Sequence, residues 1–238
     1  MLPPAVPPSG LFLLDKPKGI TSHDAVDLLR RKLHFRRIGH CGTLDPMATG
    51  LLIMLVGSAT SSQSAMQGSA KVYGGSILFG SETDTWDAEG KVVETAPPPA
   101  LDQESVRKAV EAFSGKITQT VPPYSAVRLG GKHMYKLARH NVEMPVVKRD
   151  VDVKWLSWSV KAPSLDFEIE CTGGTYIRSI ACEMGRFMGS RAHLTALRRL
   201  SIGTWNVKDA ITAEQLAAMT PEAALARLVP VPAEGARA

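Results

Sequence analysis

Cysteine is scarce in this chain. Only Cys41, Cys171 and Cys182 occur in 238 residues; they are widely spaced, odd in number and never arranged as Cys-x-x-Cys. That excludes a disulfide framework, offers no zinc-ligand spacing and suits a reducing cytoplasm. Long hydrophobic runs are also missing. The apolar stretch from Leu51 to Val56 is far too short to span a bilayer. The N-terminus, Met-Leu-Pro-Pro-Ala-Val-Pro-Pro-Ser-Gly, has neither a basic n-region nor a continuous apolar core, so it is not a secretory signal and reads as a flexible leader over residues 1–10. There is no internal repeat and no heptad pattern, which makes a monomer the default expectation. Charge of one sign is absent too: 28 Lys and Arg stand against 23 Asp and Glu, leaving +5. That balance permits a polyanionic partner without requiring one. Hydrophobic content of 44% and charged content of 21% are ordinary for a soluble globular protein, and the length suffices for one core or one domain with an extra lobe.

What is present concentrates in residues 39–50, Gly-His-Cys-Gly-Thr-Leu-Asp-Pro-Met-Ala-Thr-Gly. Gly39 and Gly42 permit backbone angles that other residues resist, and Pro46 disfavours a helical Asp45. The stretch is poor material for a long regular element. It therefore holds one carboxylate on a shaped loop directly before a buried apolar run, the kind of place where chemistry tends to sit. Basic residues cluster at Arg30 to Lys32, Arg36-Arg37, Arg128 to Arg139, Lys148-Arg149 and Arg198-Arg199. Any one cluster is as readily a solvated face as a phosphate contact; several flanking one aspartate loop favour RNA.

Local patterns predict the elements. Residues 11–14 form a strand that turns at Asp15 to Gly19. Ser22 caps a helix carrying Val26, Leu29 and Leu33 on one face. Lys71 to Phe79 is a strand weakened by Gly74-Gly75, and residues 83–90 are turn-rich. A helix runs from about Asp102 to Ser114 with Val106, Val110 and Phe113 on one face, stopped by Gly115. Residues 119–140 are irregular and basic. Val151 to Val160 is a strand, and Leu165, Phe167, Ile169 and Cys171 alternate with charged residues in another. A helix opens near Tyr176 and ends at Gly189. The tail holds a capping box, Thr212 with Gln215, and a helix start at Pro221. Strands and helices mix without strict alternation, which predicts an α+β fold around a mixed, largely antiparallel central sheet flanked by helices and loops. The expected division is a catalytic domain over 11–210 and a short helical tail over 211–238.

Six blocks occur in order: Gly39 to Pro46; Lys71-Val72-Tyr73; Phe79-Gly80 with Thr83-Asp84-Thr85; Pro122 to Ala126; Gly174 to Ser179; and Ala192-His193-Leu194 with Leu197-Arg198-Arg199. Together they resemble the bacterial tRNA pseudouridine synthase family TruB, over roughly residues 10–205. The resemblance implies the pseudouridine synthase fold and isomerisation of the T-loop uridine at tRNA position 55. It implies that Asp45 is the catalytic aspartate, that Arg178 pairs with the catalytic carboxylate, that Tyr73 stacks on the target uracil, that His40 fills the gap left by the flipped nucleotide, and that Tyr176 and Leu197 line the uracil pocket. The partner is then the tRNA T-arm, with no guide RNA and no membrane. Four departures stand out: Ser61 where a basic residue is usual, prolines before Tyr124 shifted by one with Arg128 in place of lysine, Glu183 in place of aspartate, and too few residues after the last block for the PUA domain many members carry.

These residue types suit the reaction. Breaking the N1–C1′ bond, turning the uracil and joining C5 to C1′ oxidises nothing and adds nothing, so no cofactor and no metal is expected. Asp45 would act as a nucleophile or as a base at C2′; both need it ionised, which a guanidinium favours. Stacking on Tyr73, worth roughly 1–3 kcal/mol, would offset the cost of extracting the base. Taken singly, the residues read more plainly: Asp45 as a turn residue, His40 as a surface histidine, Tyr73 and Leu197 as packing residues, Arg178 as a helix-start residue, the cysteines as small buried hydrophobes. An RNA-folding protein with little catalysis and a guide-dependent relative are the competing functions.

Overall fold

The structure, a computed structural model, describes residues 8–140 and 142–231. Most of the expected leader (residues 1–7) and the last residues of the expected tail (232–238) lie outside them. The chain divides into two compact units, residues 1–72 with 198–238, and residues 73–197.

In the first unit, strand β1 (Gly10–Lys16) leads to helix α1 (Ser22–Leu33). The helix cap is Thr21 rather than Ser22: its hydroxyl accepts from the Asp24 amide while the Asp24 carboxylate accepts from the Thr21 amide, a capping box. Strand β2 (Ile38–Cys41) and strand β3 (Thr49–Val56) follow. The glycine-rich stretch is thus not irregular throughout. Its first residues pair with β3, His40 opposite Met54, and the loop proper is residues 42–48. After the short helix α2 (Gln63–Gln67), strand β4 (Lys71–Phe79) carries the chain into the second unit.

There, strands β5 (Ser81–Thr83) and β6 (Val92–Thr95) form a hairpin around the turn-rich 83–90 stretch. Helix α3 (Gln103–Ala112) is capped by Asp102, whose carboxylate accepts from Ser105 N at 2.8 Å. Strand β7 (Gly115–Thr120) begins at the glycine expected to stop that helix. The basic segment expected to be irregular contains strands β8 (Arg128–Leu129) and β9 (Lys132–His133) and helix α4 (Met134–Arg139). Strands β10 (Lys148–Lys161) and β11 (Ser164–Cys171) pair antiparallel, with the alternating residues of β11 buried as the pattern required. Helix α5 (Ile177–Phe187) precedes strand β12 (Ala192–Ile202), which returns the chain to the first unit. Strand β13 (Trp205–Asn206), strand β14 (Ile211–Thr212), helix α6 (Ala213–Ala218) and helix α7 (Pro221–Leu225) complete it. Thr212 and Gln215 make the expected capping box, and Pro221 opens α7.

Strand order is β14-β1-β3-β12 in the first unit, with β2 also on β3, and β12-β4-β11-β10-β7 in the second. The sheet is mixed and mostly antiparallel, with parallel pairs β1–β14 and β3–β12. The fold is therefore α+β. The first unit's core joins Phe12 and Leu14, Val26, Leu29 and Leu33 of α1, Leu52 and Met54, and Ile211, Leu216 and Ala224 from the tail. Burial of each large side chain there contributes roughly 1.5–3 kcal/mol. The tail is thus part of this core. No helix among the described residues is long and apolar enough to cross a membrane.

Gly75 has a packing reason. A Cβ there would lie 2.5 Å from the Ala196 carbonyl and 2.6 Å from the Phe167 ring. The glycine that weakens β4 by propensity is what lets β12 and β11 approach it.

Candidate active site

In the first unit, the Asp45 loop is held by three buried polar side chains. Arg199 on β12 is 0% exposed and donates from Nε to the Leu51 carbonyl (2.7 Å), from Nη2 to Gly42 O (3.0 Å) and from Nη1 to Thr43 O (3.5 Å). Lys16 at the end of β1, also fully buried, donates to the carbonyls of Ile20 (2.7 Å), Pro17 (2.9 Å) and Pro46 (3.4 Å). Ser22, spared from capping, brackets Leu44: its hydroxyl accepts from Leu44 N at 2.8 Å and donates to Leu44 O at 3.1 Å. A turn from Ala48 N to Asp45 O and a bond from Gly19 N to Pro46 O close the loop. Charged groups buried in this way must be satisfied, and here backbone carbonyls satisfy them. The result is a half-buried carboxylate on a loop fixed on both sides.

Glycine is required twice here. Gly42 has φ +78, and Gly50 has φ +101 with any Cβ falling onto the backbone of Arg199, its register partner across the β3–β12 pair. Gly39, by contrast, is ordinary strand backbone.

His40 is half-buried on β2. Burial, and to a lesser degree the nearby positive charges of Arg199 and His23, push its pKa below the usual histidine value. Its Nδ1 is buried and finds no hydrogen-bond partner among the described residues. Arg199 and Lys71 are both buried, and Lys71 donates to Gln67 O (2.9 Å) and Ser69 O (2.7 Å). Arg198 is paired with Asp15 at 2.6 Å.

In the second unit, Arg178 stands at the start of α5 and is only 4% exposed. It donates to Thr85 O (2.8 Å) and Tyr124 O (3.0 Å), and its Nε lies 3.6 Å from the Asp87 carboxylate. Asp87 is itself fixed, accepting from Thr85 Oγ1 (2.6 Å) and from Glu89 N (3.0 Å). The 83–90 stretch that carries these partners is tied to β12, where Leu194 N donates to Trp86 O and Ala88 N to Leu194 O. Leu197 is buried farther along β12, and Tyr73 is buried on β4. Tyr176 is half-buried just before α5, with its backbone gripped by Gln119.

The structure thus places Asp45 and His40 in one unit, and Tyr73, Tyr176, Arg178 and Leu197 in the other. Asp87, Gln119 and the loop-holding role of Ser22 escaped the sequence reading. The only signal was a surplus of carboxylates and hydroxyls in the turn-rich 83–90 stretch; nothing marked Gln119.

Among solved structures, the chain superposes on one described as "Crystal Structure of a Cbf5-Nop10-Gar1 Complex" with a TM-score of 0.68 at 23% identity, covering 93% of this chain and 60% of that one. It also superposes on a "Structure of H/ACA RNP bound to a substrate RNA containing 2'-deoxyuridine" with a TM-score of 0.62 at 24% identity, covering 86% and 51%. These likenesses define the fold class. The family model described as TruB family pseudouridylate synthase (N terminal domain) matches residues 30–177. The tRNA pseudouridine synthase B of Opitutus terrae is 42% identical over 232 residues, 97% of this chain and 96% of that protein. The protein of the same name from Bordetella avium is 39% identical over 231 residues, 95% of each. The chain belongs to the TruB family of pseudouridylate synthases.

Proposed function

We propose that this protein isomerises uridine to pseudouridine in tRNA, at the T-loop uridine of position 55. The observation that carries the reading is the near full-length identity to proteins named tRNA pseudouridine synthase B, in a chain whose Asp45 sits on a loop clamped by Arg199, Lys16 and Ser22. Asp45 is the catalytic carboxylate, acting on the sugar or base after the nucleotide leaves its stack. Rigid support matters because a carboxylate displaced by about 1 Å can cost on the order of a hundredfold in rate. Arg178 is the catalytic cation. Its two carbonyl contacts and Asp87 favour a single orientation. Tyr73 stacks on the target uracil, Tyr176 and Leu197 line its pocket, and His40 fills the vacated place in the RNA. Its depressed pKa favours this use, since a neutral ring stacks among bases without bringing a charge into them. The protein works as a monomer on bare tRNA in the cytoplasm, without a guide RNA, and residues 11–210 carry the catalysis.

The test is incubation of the purified protein with an unmodified tRNA transcript, followed by mapping of pseudouridine. Modification of the T-loop uridine without added RNA is expected. Asp45→Asn is expected to abolish turnover while leaving tRNA binding within about threefold, as removal of a group that acts mainly in the transition state should. Modification that requires an added guide, or turnover by Asp45→Asn, would overturn the reading.

A further inference from the structure

Gln119 is the penultimate residue of β7 and is 0% exposed. Its side-chain oxygen accepts from Tyr176 N at 2.7 Å, and its side-chain nitrogen donates to Tyr176 O at 3.3 Å. One amide side chain thus takes both backbone groups of a single residue, as a neighbouring strand would. Tyr176 needs such a partner. It is extended (φ −101, ψ 107), it is the N-cap of α5, and its own side chain makes no capping bond. The next residue of β7 strengthens the hold. Ser179 Oγ donates to Thr120 O at 2.6 Å, and Thr120 N donates to the Glu183 carboxylate at 2.9 Å. Two adjacent residues of β7 therefore grip α5 at positions 176, 179 and 183, and Arg178 lies inside the gripped turn. Glu183 supplies the outermost of these contacts.

We infer that Gln119 is a positioning residue for the reaction. It sets the backbone of Tyr176, and through it the direction of the Tyr176 ring and the Arg178 guanidinium, so that its loss slows the chemical step without weakening RNA binding. Only an amide of this length offers a donor and an acceptor together at that reach; methionine has the shape and neither group, and asparagine has both groups one methylene short. The inference rests on the function proposed above.

The experiment measures the single-turnover rate constant of pseudouridine formation on an unmodified tRNA transcript, and the transcript's Kd by filter binding, for the wild type, Gln119→Met and Gln119→Asn. Temperatures are kept well below each variant's Tm. Gln119→Met is expected to lower the rate constant about tenfold to a hundredfold with Kd changed less than about threefold, and Gln119→Asn to fall between it and the wild type. A purely structural role would lower Tm and leave the rate of the folded fraction unchanged; that result, or a loss carried by Kd, overturns the inference. If Gln119→Met does not fold, Gln119→Asn decides alone, and a rate within twofold of the wild type counts against the role. A wild type that modifies no uridine removes the function and this role together, whereas an active wild type with unimpaired variants removes this role alone.

Discussion

Arg178 and Asp87 form a buried ion pair, the arginine Nε 3.6 Å from a carboxylate oxygen, with both side chains almost wholly withdrawn from solvent. The separation is long for a hydrogen bond, so the attraction is chiefly Coulombic. The guanidinium's shorter bonds go to Thr85 O and Tyr124 O. Removing one partner of a buried pair typically costs about 3–5 kcal/mol. Asp87→Ala is expected to lose about 3 kcal/mol in urea denaturation, and to lower the turnover rate more than tRNA affinity because Arg178 loses its orientation. Unchanged stability would show that Arg178 is satisfied without Asp87.

Ser22→Ala tests the support of Asp45. The variant strips both Leu44 backbone groups of a buried partner, at a cost of about 1–3 kcal/mol. Helix α1 keeps its Thr21–Asp24 capping box, so far-UV circular dichroism should be unchanged while turnover falls about tenfold. Normal turnover would mean that the loop keeps its shape without Ser22.

Glycine substitutions should separate strain from collision. Gly19 has φ +90 and open space around a built Cβ, so Gly19→Ala should cost about 1–2 kcal/mol from backbone strain alone. Gly50→Ala adds a clash with the Arg199 backbone and should cost more than about 4 kcal/mol or prevent folding. Thermal melts of the two variants compare them directly.

Cys41, Cys171 and Cys182 are buried, and none of them is in a disulfide. Burial pushes the Cys41 and Cys182 thiols above the usual cysteine value, and nucleophilicity requires the thiolate. The native protein should resist a thiol-reactive chromogenic disulfide at pH 8 and release three equivalents once denatured. Fast native labelling of any cysteine would contradict this burial.

His40 titrates below the ordinary histidine value because burial disfavours its charged form. The unfolded chain therefore binds this proton more readily than the native one. The contribution of neutral His40 is fully present above about pH 6.5 and is lost as pH falls toward the lower native value. His40→Gln should flatten the fall in Tm between pH 7 and pH 5, and an NMR titration of the wild-type ring should give a midpoint below 6.5. A midpoint above it would reverse the sign.

The elements that could be read in advance are those whose signal is local. The alternation of β11, the apolar face of α1, the span of β4 and the Thr212–Gln215 box depend on residues a few positions apart. Strand β12 was not legible, because one of its inward positions is an arginine rather than an apolar residue. Thr21 and Ser22 were indistinguishable as caps, since both carry the same hydroxyl; only the presence of Leu44 beside one of them assigns the roles.

The mixture of local strand and helix patterns predicted the α+β class, and six ordered blocks predicted the family and named Asp45, His40, Tyr73, Tyr176, Arg178 and Leu197 as candidates, because such signals are contiguous in the chain. What holds those residues was decided in three dimensions. Arg199 reaches Gly42 across 157 positions, Gln119 reaches Tyr176 across 57, and Arg178 reaches Thr85 across 93. A buried donor or acceptor must find a partner wherever the fold brings one, and no periodicity along the chain records where that is.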